Sequence, residues 1–291
     1  MTTPAEAPLE APVMPYVDPE RFQSGRRRGR RNAIIASLST VLVFAALVVG
    51  ITSTPGWDQV KETFFNWDAA VAAWPTLITA FALNIKIFLV AEVFILILAM
   101  LIALARGLSG PVFLPLRILA TVYVDFFRGV PTILVILLLG FGVPALQLQG
   151  VTNSPIVWGT VALILSYTAY VAEVYRAGIE SIHPSQRAAA RSLGLSSLQA
   201  TRYVVLPQAV RRVVPPLLND FIALQKETAL VSLLGPVEVL RAAQIDAASN
   251  FNYTPYVVAA LLFVAITLPL TRLTDWLQKR SSSRRMAAGA S

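Results

Sequence analysis

Cysteine is absent from the 291 residues and histidine occurs once, at His183. The first absence excludes a disulfide framework, a cysteine-ligated zinc site and a thiol nucleophile; the second leaves no histidine cluster to hold a metal. Charge is scarce too. Asp, Glu, Lys and Arg make up 14% of the chain against 56% hydrophobic residues, which excludes an ordinary soluble domain of this length and fits a polytopic membrane protein. No G-x-x-x-x-G-K-[ST] occurs, so the chain has no phosphate-cradling loop and cannot hydrolyse ATP alone. Acidic residues are outnumbered, 16 against 24 basic ones, for a net charge of +8. Because the basic residues gather beside apolar segments rather than in one interleaved patch, they read as membrane-topology signals and not as a nucleic-acid surface.

Residues 1–32 form a proline-rich tail, expected to be disordered and cytoplasmic, that ends in the basic cluster Arg26, Arg27, Arg28, Arg30 and Arg31. The uncharged run 33–51 follows and spans about 28 Å as a helix, close to one hydrocarbon thickness. It is longer than the apolar core of a cleaved signal peptide, the competing reading, and is taken as a retained anchor. Residues 52–74 carry Trp57, Trp67 and Trp74 among polar residues, as an extracytoplasmic loop at the membrane interface does. The segment 75–105 is the second span and ends at the turn Arg106-Gly107-Leu108-Ser109-Gly110-Pro111. Residues 112–145 read as one span broken at Arg128-Gly129-Val130-Pro131. Residues 156–175 cross back.

The span over 213–234 is masked by Asp220, Lys226 and Glu227 and is supplied by parity. Without it, the last helix would deliver Lys279, Arg280, Arg284 and Arg285 to the outer face, against the positive-inside rule. The expected fold is therefore an all-α polytopic membrane protein with six transmembrane helices and both termini cytoplasmic, closing on a basic tail at 280–291.

Between the fourth and fifth spans, residues 176–212 form an Arg-rich polar loop. Pro184 can open a short helix there and Gly194 sits where a left-handed residue would close it. Ser196 and Gln199 have capping-box spacing for a second short helix, expected to stop at Leu206-Pro207. Ala188, Ala189 and Ala190 give the first helix a small-residue surface. Periodicity alone leaves open whether this is a docking surface or a simple connector.

The loop resembles the EAA loop of ABC importer permeases: Ala189-Ala190, Gly194, Val204, Leu206 and Pro207 stand at that pattern's spacings. Around it, Ala169–Ile179, Ser192-Leu193-Gly194, Leu206–Ala209, Lys226–Ser232 and Phe127–Pro131 are similar to the polar-amino-acid branch of that family, and the similarity runs in order from about Trp74 to Lys279. It departs from the pattern at Ala188, where the family has glutamate, and at Ser185, where it has glycine. The resemblance implies a five-helix type I importer core at 75–279 plus one extra N-terminal helix, in a bacterial inner membrane. It implies a permease subunit for polar amino acids, not an enzyme, working with a second permease chain, an extracytoplasmic solute-binding protein and a separate ATPase. ATP and Mg would belong to the ATPase, and this chain would hold no cofactor or metal. Arg187, Ala188, Ala189, Ala190, Arg191, Ser192, Leu193, Gly194, Leu206 and Pro207 would form the coupling surface. With Ala188 in the glutamate position, either Arg187 and Arg191 share its electrostatic work or shape does.

Intramembrane charges are costly and tend to face a cavity or a partner. Arg128, at the helix break, is a candidate for holding an α-carboxylate; an ion pair with Asp125 is the alternative. Lys226, Glu227 and Thr228 are candidate substrate contacts, with Glu227 toward an α-ammonium or a cationic side chain, and a Lys226–Asp220 pair is the alternative. Lys86 and Glu92 read as bundle-interior or snorkelling groups, and Glu173 as an anchor for the loop through Arg176. No nucleophile and base converge as an intramembrane enzyme would need, and no internal repeat marks a self-contained secondary transporter.

Overall fold

The computed structural model describes residues 19–108 and 110–289, and every regular element among them is a helix. The tail expected to be disordered lies outside the described residues as far as residue 18, as does Ser109 of the predicted turn. The chain divides after Val60 into two units. The first contains α1 (Pro19–Thr52), which starts ahead of the expected boundary at residue 33; its apolar window Ile34–Thr52 is 19 residues long. Helix α2 (Trp57–Phe64) runs across the division.

The second unit continues through α3 (Trp67–Gly107), α4 (Leu114–Gly129), α5 (Thr132–Ala145), α6 (Pro155–Glu180), α7 (Pro184–Ser192), α8 (Ser197–Ala200), α9 (Leu206–Glu227), α10 (Val239–Asn250) and α11 (Thr254–Gly289). Asn66 starts α3 by accepting the Ala69 N–H at 3.0 Å, and Asp68 and Arg106 complement its dipole at opposite ends. With 41 residues α3 is about 61 Å long, roughly twice the hydrocarbon thickness, so it projects well beyond the bilayer core. After Gly129 the backbone turns extended at Val130, Pro131 cannot continue the ladder, and the α4 and α5 segments meet at a bend of 101°.

Among the described residues four helices are long and apolar enough to cross a membrane, and taking each of two bent pairs, 111–145 and 197–250, as one span brings the number to six. The six-span expectation matches that upper count, including the span that its charges hide from hydropathy.

One local expectation fails. Leu206-Pro207 does not stop the second loop helix: α8 passes into a π-helical turn, Thr201–Val205, and straight on into α9. The Leu206 N–H bonds the Thr201 carbonyl five residues back. Pro207 then sits in the first turn of α9, and the widened π turn accommodates a ring that would clash with a regular i−4 carbonyl.

Helix α6 is the centre of the main core, with Ala162, Leu163, Ala169 and Ala172 inaccessible among α3, α4, α5 and α9. A second cluster joins the first half of α3 to α10 and α11 through Leu77, Phe81, Val239, Ala243 and Val258. Glycine sets two of the close approaches. A Cβ on Gly178 would lie 2.0 Å from Val213 Cγ2, and one on Gly140 2.2 Å from Leu234 Cδ1, so both crossings need a residue without a side chain.

Candidate functional site: an intramembrane carboxylate cluster and a capped polar loop

The polar loop is built from local signals. His183 Nδ1 accepts the Ser185 N–H at 3.2 Å and Pro184 opens α7. At its end Gly194 has φ +85°, the Gly194 N–H bonds the Arg191 carbonyl at 2.9 Å and the Leu195 N–H bonds the Ala190 carbonyl at 3.3 Å, the paired bonds of a Schellman motif. Ser196 Oγ then accepts the Gln199 N–H at 3.3 Å while Gln199 Oε1 accepts the Ser196 N–H at 2.8 Å, closing the capping box.

What this framework presents differs in part from expectation. Ala188 and Ala189 are exposed, but Ala190 turns inward and is buried, so the small-residue surface holds two alanines rather than three. Arg191 Nη1 donates to Ser197 Oγ at 2.9 Å and staples α7 to α8, and both Arg187 and Arg191 stay exposed. Ser192 Oγ bonds the Ala188 carbonyl of its own helix at 3.1 Å. Leu193 and Leu198, 84% and 78% exposed, form an apolar tip, and Leu206 and Pro207 are exposed farther along. Leu198 and Tyr203, with Arg202 over the Tyr203 ring at 5.9 Å, were not singled out in the sequence because an apolar residue in a polar loop reads as core until its exposure is known.

At the foot of the loop Glu173 on α6 receives Arg106 of α3 at 2.8 Å and also pairs with Arg176, which in turn pairs with Glu180. The Glu173–Arg176 contact was expected. Arg106 adds a tie between two spans that no local spacing reveals.

Within the spans, the helix break and the end of α9 come together. Thr132, the first residue of α5, and Tyr167 of α6 flank Glu227, whose Oε2 is buried without a hydrogen-bond partner. Asp220, seven residues earlier on α9, likewise has a buried, unpartnered Oδ2. It lies within electrostatic reach of Tyr167 and of Glu92 from α3. Three carboxylates therefore gather near one another where water is scarce, an arrangement that favours a cation entering among them.

Arg128 is exposed at the end of α4, and its carbonyl is approached by the Tyr170 hydroxyl at 3.5 Å. No ion pair joins it to Asp125, nor Lys226 to Asp220, among the described residues. Lys226 is exposed beside Glu227. Lys86 is exposed and does not meet Glu92; it lies against α6 near Thr160.

Thr228 is fully buried, and both its hydrogen-bonding directions are taken: its hydroxyl donates to the Gln225 carbonyl at 2.7 Å and accepts Asn84 Nδ2 at 3.2 Å. The same Asn84 Nδ2 donates to Glu238 Oε2 at 2.8 Å, and Asn84 Oδ1 accepts the Val239 N–H at 3.1 Å. Glu238 caps α10 by accepting the Leu240 and Arg241 N–H groups at 3.0 and 2.8 Å. This buried network pins the segment after Glu227 to α3 and α10. Asn84 and Glu238, like Leu198 and Tyr203, carry no local sequence signal that singles them out.

Comparison with known proteins agrees with this architecture. The profile of the binding-protein-dependent transport system inner membrane component matches residues 96–283. The Probable amino-acid permease protein YxeN of Bacillus subtilis (strain 168) is 32% identical over 218 residues, 75% of this chain and 96% of that one. The Arginine transport system permease protein ArtQ of the same organism is 32% identical over 219 residues, 75% of this chain and 98% of its own. Among solved structures, the crystal structure of an amino acid ABC transporter with histidines superposes with a TM-score of 0.65 at 32% identity, over 72% of this chain and 96% of that one. With its helical core, its paired crossings and its capped loop falling inside the matched region, the chain belongs to the family of binding-protein-dependent transport system inner membrane components.

Proposed function

We propose that this chain is the permease subunit of an ATP-driven importer for polar amino acids. It lies in the inner membrane with both termini cytoplasmic and pairs with a second permease chain. A separate ATPase, carrying ATP and Mg, docks on the apolar tip at Leu193 and Leu198 and on the exposed Arg187, and a solute-binding protein delivers the ligand from the other face. Closure of the ATPase pair pulls the capped loops together, and differential binding of these partners to the two permease states drives the alternation.

The observation that carries the substrate class is that Glu227 and Asp220 each hold an unpartnered buried oxygen and that Glu227 lies beside Thr132, just past the helix break that follows Arg128. An amino acid offers an ammonium to the carboxylates and a carboxylate to the guanidinium. Thr228 supports this site from behind, since its hydroxyl is already bonded, and Lys226 sits at the rim. The test is uptake by the reconstituted complex. Arg128→Ala abolishes transport and Glu227→Gln weakens it, while the ATPase still copurifies with both variants; wild-type uptake by Arg128→Ala would remove that residue from the site.

A further inference from the structure

A cavity of about 520 Å³ opens between the ends of α3, α4 and α6, on the side of the protein where the capped loop begins. Arg106, Arg117 and Arg176 line it together with Glu180. Two of the three guanidiniums are already matched, since Arg106 bonds Glu173, and Arg176 bonds both Glu173 and Glu180. Three cations against two carboxylates leave one positive charge over, and it falls on Arg117. Arg117 Nε is buried and has no hydrogen-bond partner, and Nη2 makes only a long 3.4 Å contact to the Gly110 carbonyl.

The wall of this cavity changes character along α4. Leu114, Ile118 and Val122, spaced four residues apart, form an exposed aliphatic stripe that leaves the arginines and runs along the helix. The cavity lies where α3 and α6 finish and α4 begins, and Arg106 and Arg176, the basic residues that close the apolar stretches of α3 and α6, mark that end as headgroup level. A soluble anion needs the guanidinium but gains nothing from the stripe. A phospholipid uses both, with its phosphodiester at Arg117 and an acyl chain along Leu114, Ile118 and Val122. The single surplus charge also matches the single charge of a phosphodiester.

We infer that this cavity is a binding site for the phosphodiester headgroup of an anionic phospholipid, with Arg117 as the recognising residue. Basic pockets between spans take such headgroups by the same combination of charge and apolar wall. The inference requires only that the chain spans a bilayer, and it stands or falls separately from the amino-acid substrate. Because Glu180 borders the cavity only four residues before Pro184, a bound headgroup also braces the charge chain at the root of the loop.

The test is native mass spectrometry of the full-length chain released from nanodiscs that contain equal amounts of phosphatidylglycerol and phosphatidylcholine. The expected result is retention of phosphatidylglycerol over phosphatidylcholine by about fivefold, the preference one arginine near the surface supplies. Arg117→Gln abolishes the preference, Arg117→Lys keeps it, and millimolar inorganic phosphate does not displace the lipid. Ile118→Glu, at an exposed position beside an intact Arg117, abolishes it as well by placing an anion on the wall. Equal retention of the two lipids, a preference that survives both Arg117→Gln and Ile118→Glu, or displacement by inorganic phosphate would each overturn the assignment.

Discussion

Asn84 bonds to three places at once: Thr228, Glu238 and the backbone of α10. Replacing it with leucine leaves the fully buried Glu238 carboxylate with one donor fewer, and a hydrogen bond to a charged group is worth about 1.5–3 kcal/mol. Asn84→Leu is therefore expected to lower the melting temperature in detergent and to reduce uptake, because the segment that positions Glu227 loses its tie to α3. Glu238→Gln, which keeps acceptor capacity for α10 and removes the buried charge, is expected to lose less. Equal and negligible losses in both would show that the network bears no load. Gly178 makes a packing prediction of a different kind. Gly178→Leu forces side-chain atoms into Val213 and costs about 1–3 kcal/mol, and a compensating Val213→Ala should recover part of that loss in a double-mutant cycle on melting temperature.

At the scale of elements, the loop separates fold from docking. Gly194 holds φ +85°, which a β-branched residue adopts only with strain of about 1–2 kcal/mol, so Gly194→Val should disorder the turn between α7 and α8. Leu198→Asp tests the surface alone: the side chain is already outside, so melting should be unchanged while ATPase copurification is lost. Retained copurification would move the docking surface elsewhere.

The loop's caps were readable in the sequence because their chemistry lies within a few residues. Ser196 and Gln199 are three apart, and the Gly194 motif reaches back only to Ala190. Pro207 does not end the helix, for a physical reason: a proline stops a regular helix, but a π turn immediately before it removes the clash. Asp220 does not pair with Lys226 because six residues place two side chains about 120° apart around a helix, whereas Asp220 and Glu227 at seven share a face. Glu92 near Asp220, and Asn84 bonded to Thr228 144 residues away, are tertiary facts that no local pattern encodes.

For the whole molecule, the charge rule that supplied the hidden span also assigns a side to each loop, and the absence of cysteine makes that assignment directly measurable. A single cysteine placed at an exposed site reports with no background from the native chain. Leu198, on the polar loop, and Ser249, near the end of α10, are both exposed, and the chain between them passes along the bent pair 197–250. If that pair crosses the bilayer once, a membrane-impermeant maleimide added to intact cells labels Ser249→Cys and not Leu198→Cys, and breaking the membrane exposes both. If instead the pair re-enters the face it left, both positions share a side and label together. That second outcome would remove the fifth span, carry the basic end of α11 to the outer face and undo the parity on which the six-span arrangement rests. The first fixes the loop on the ATP-bearing side of the membrane, where the proposed coupling requires it.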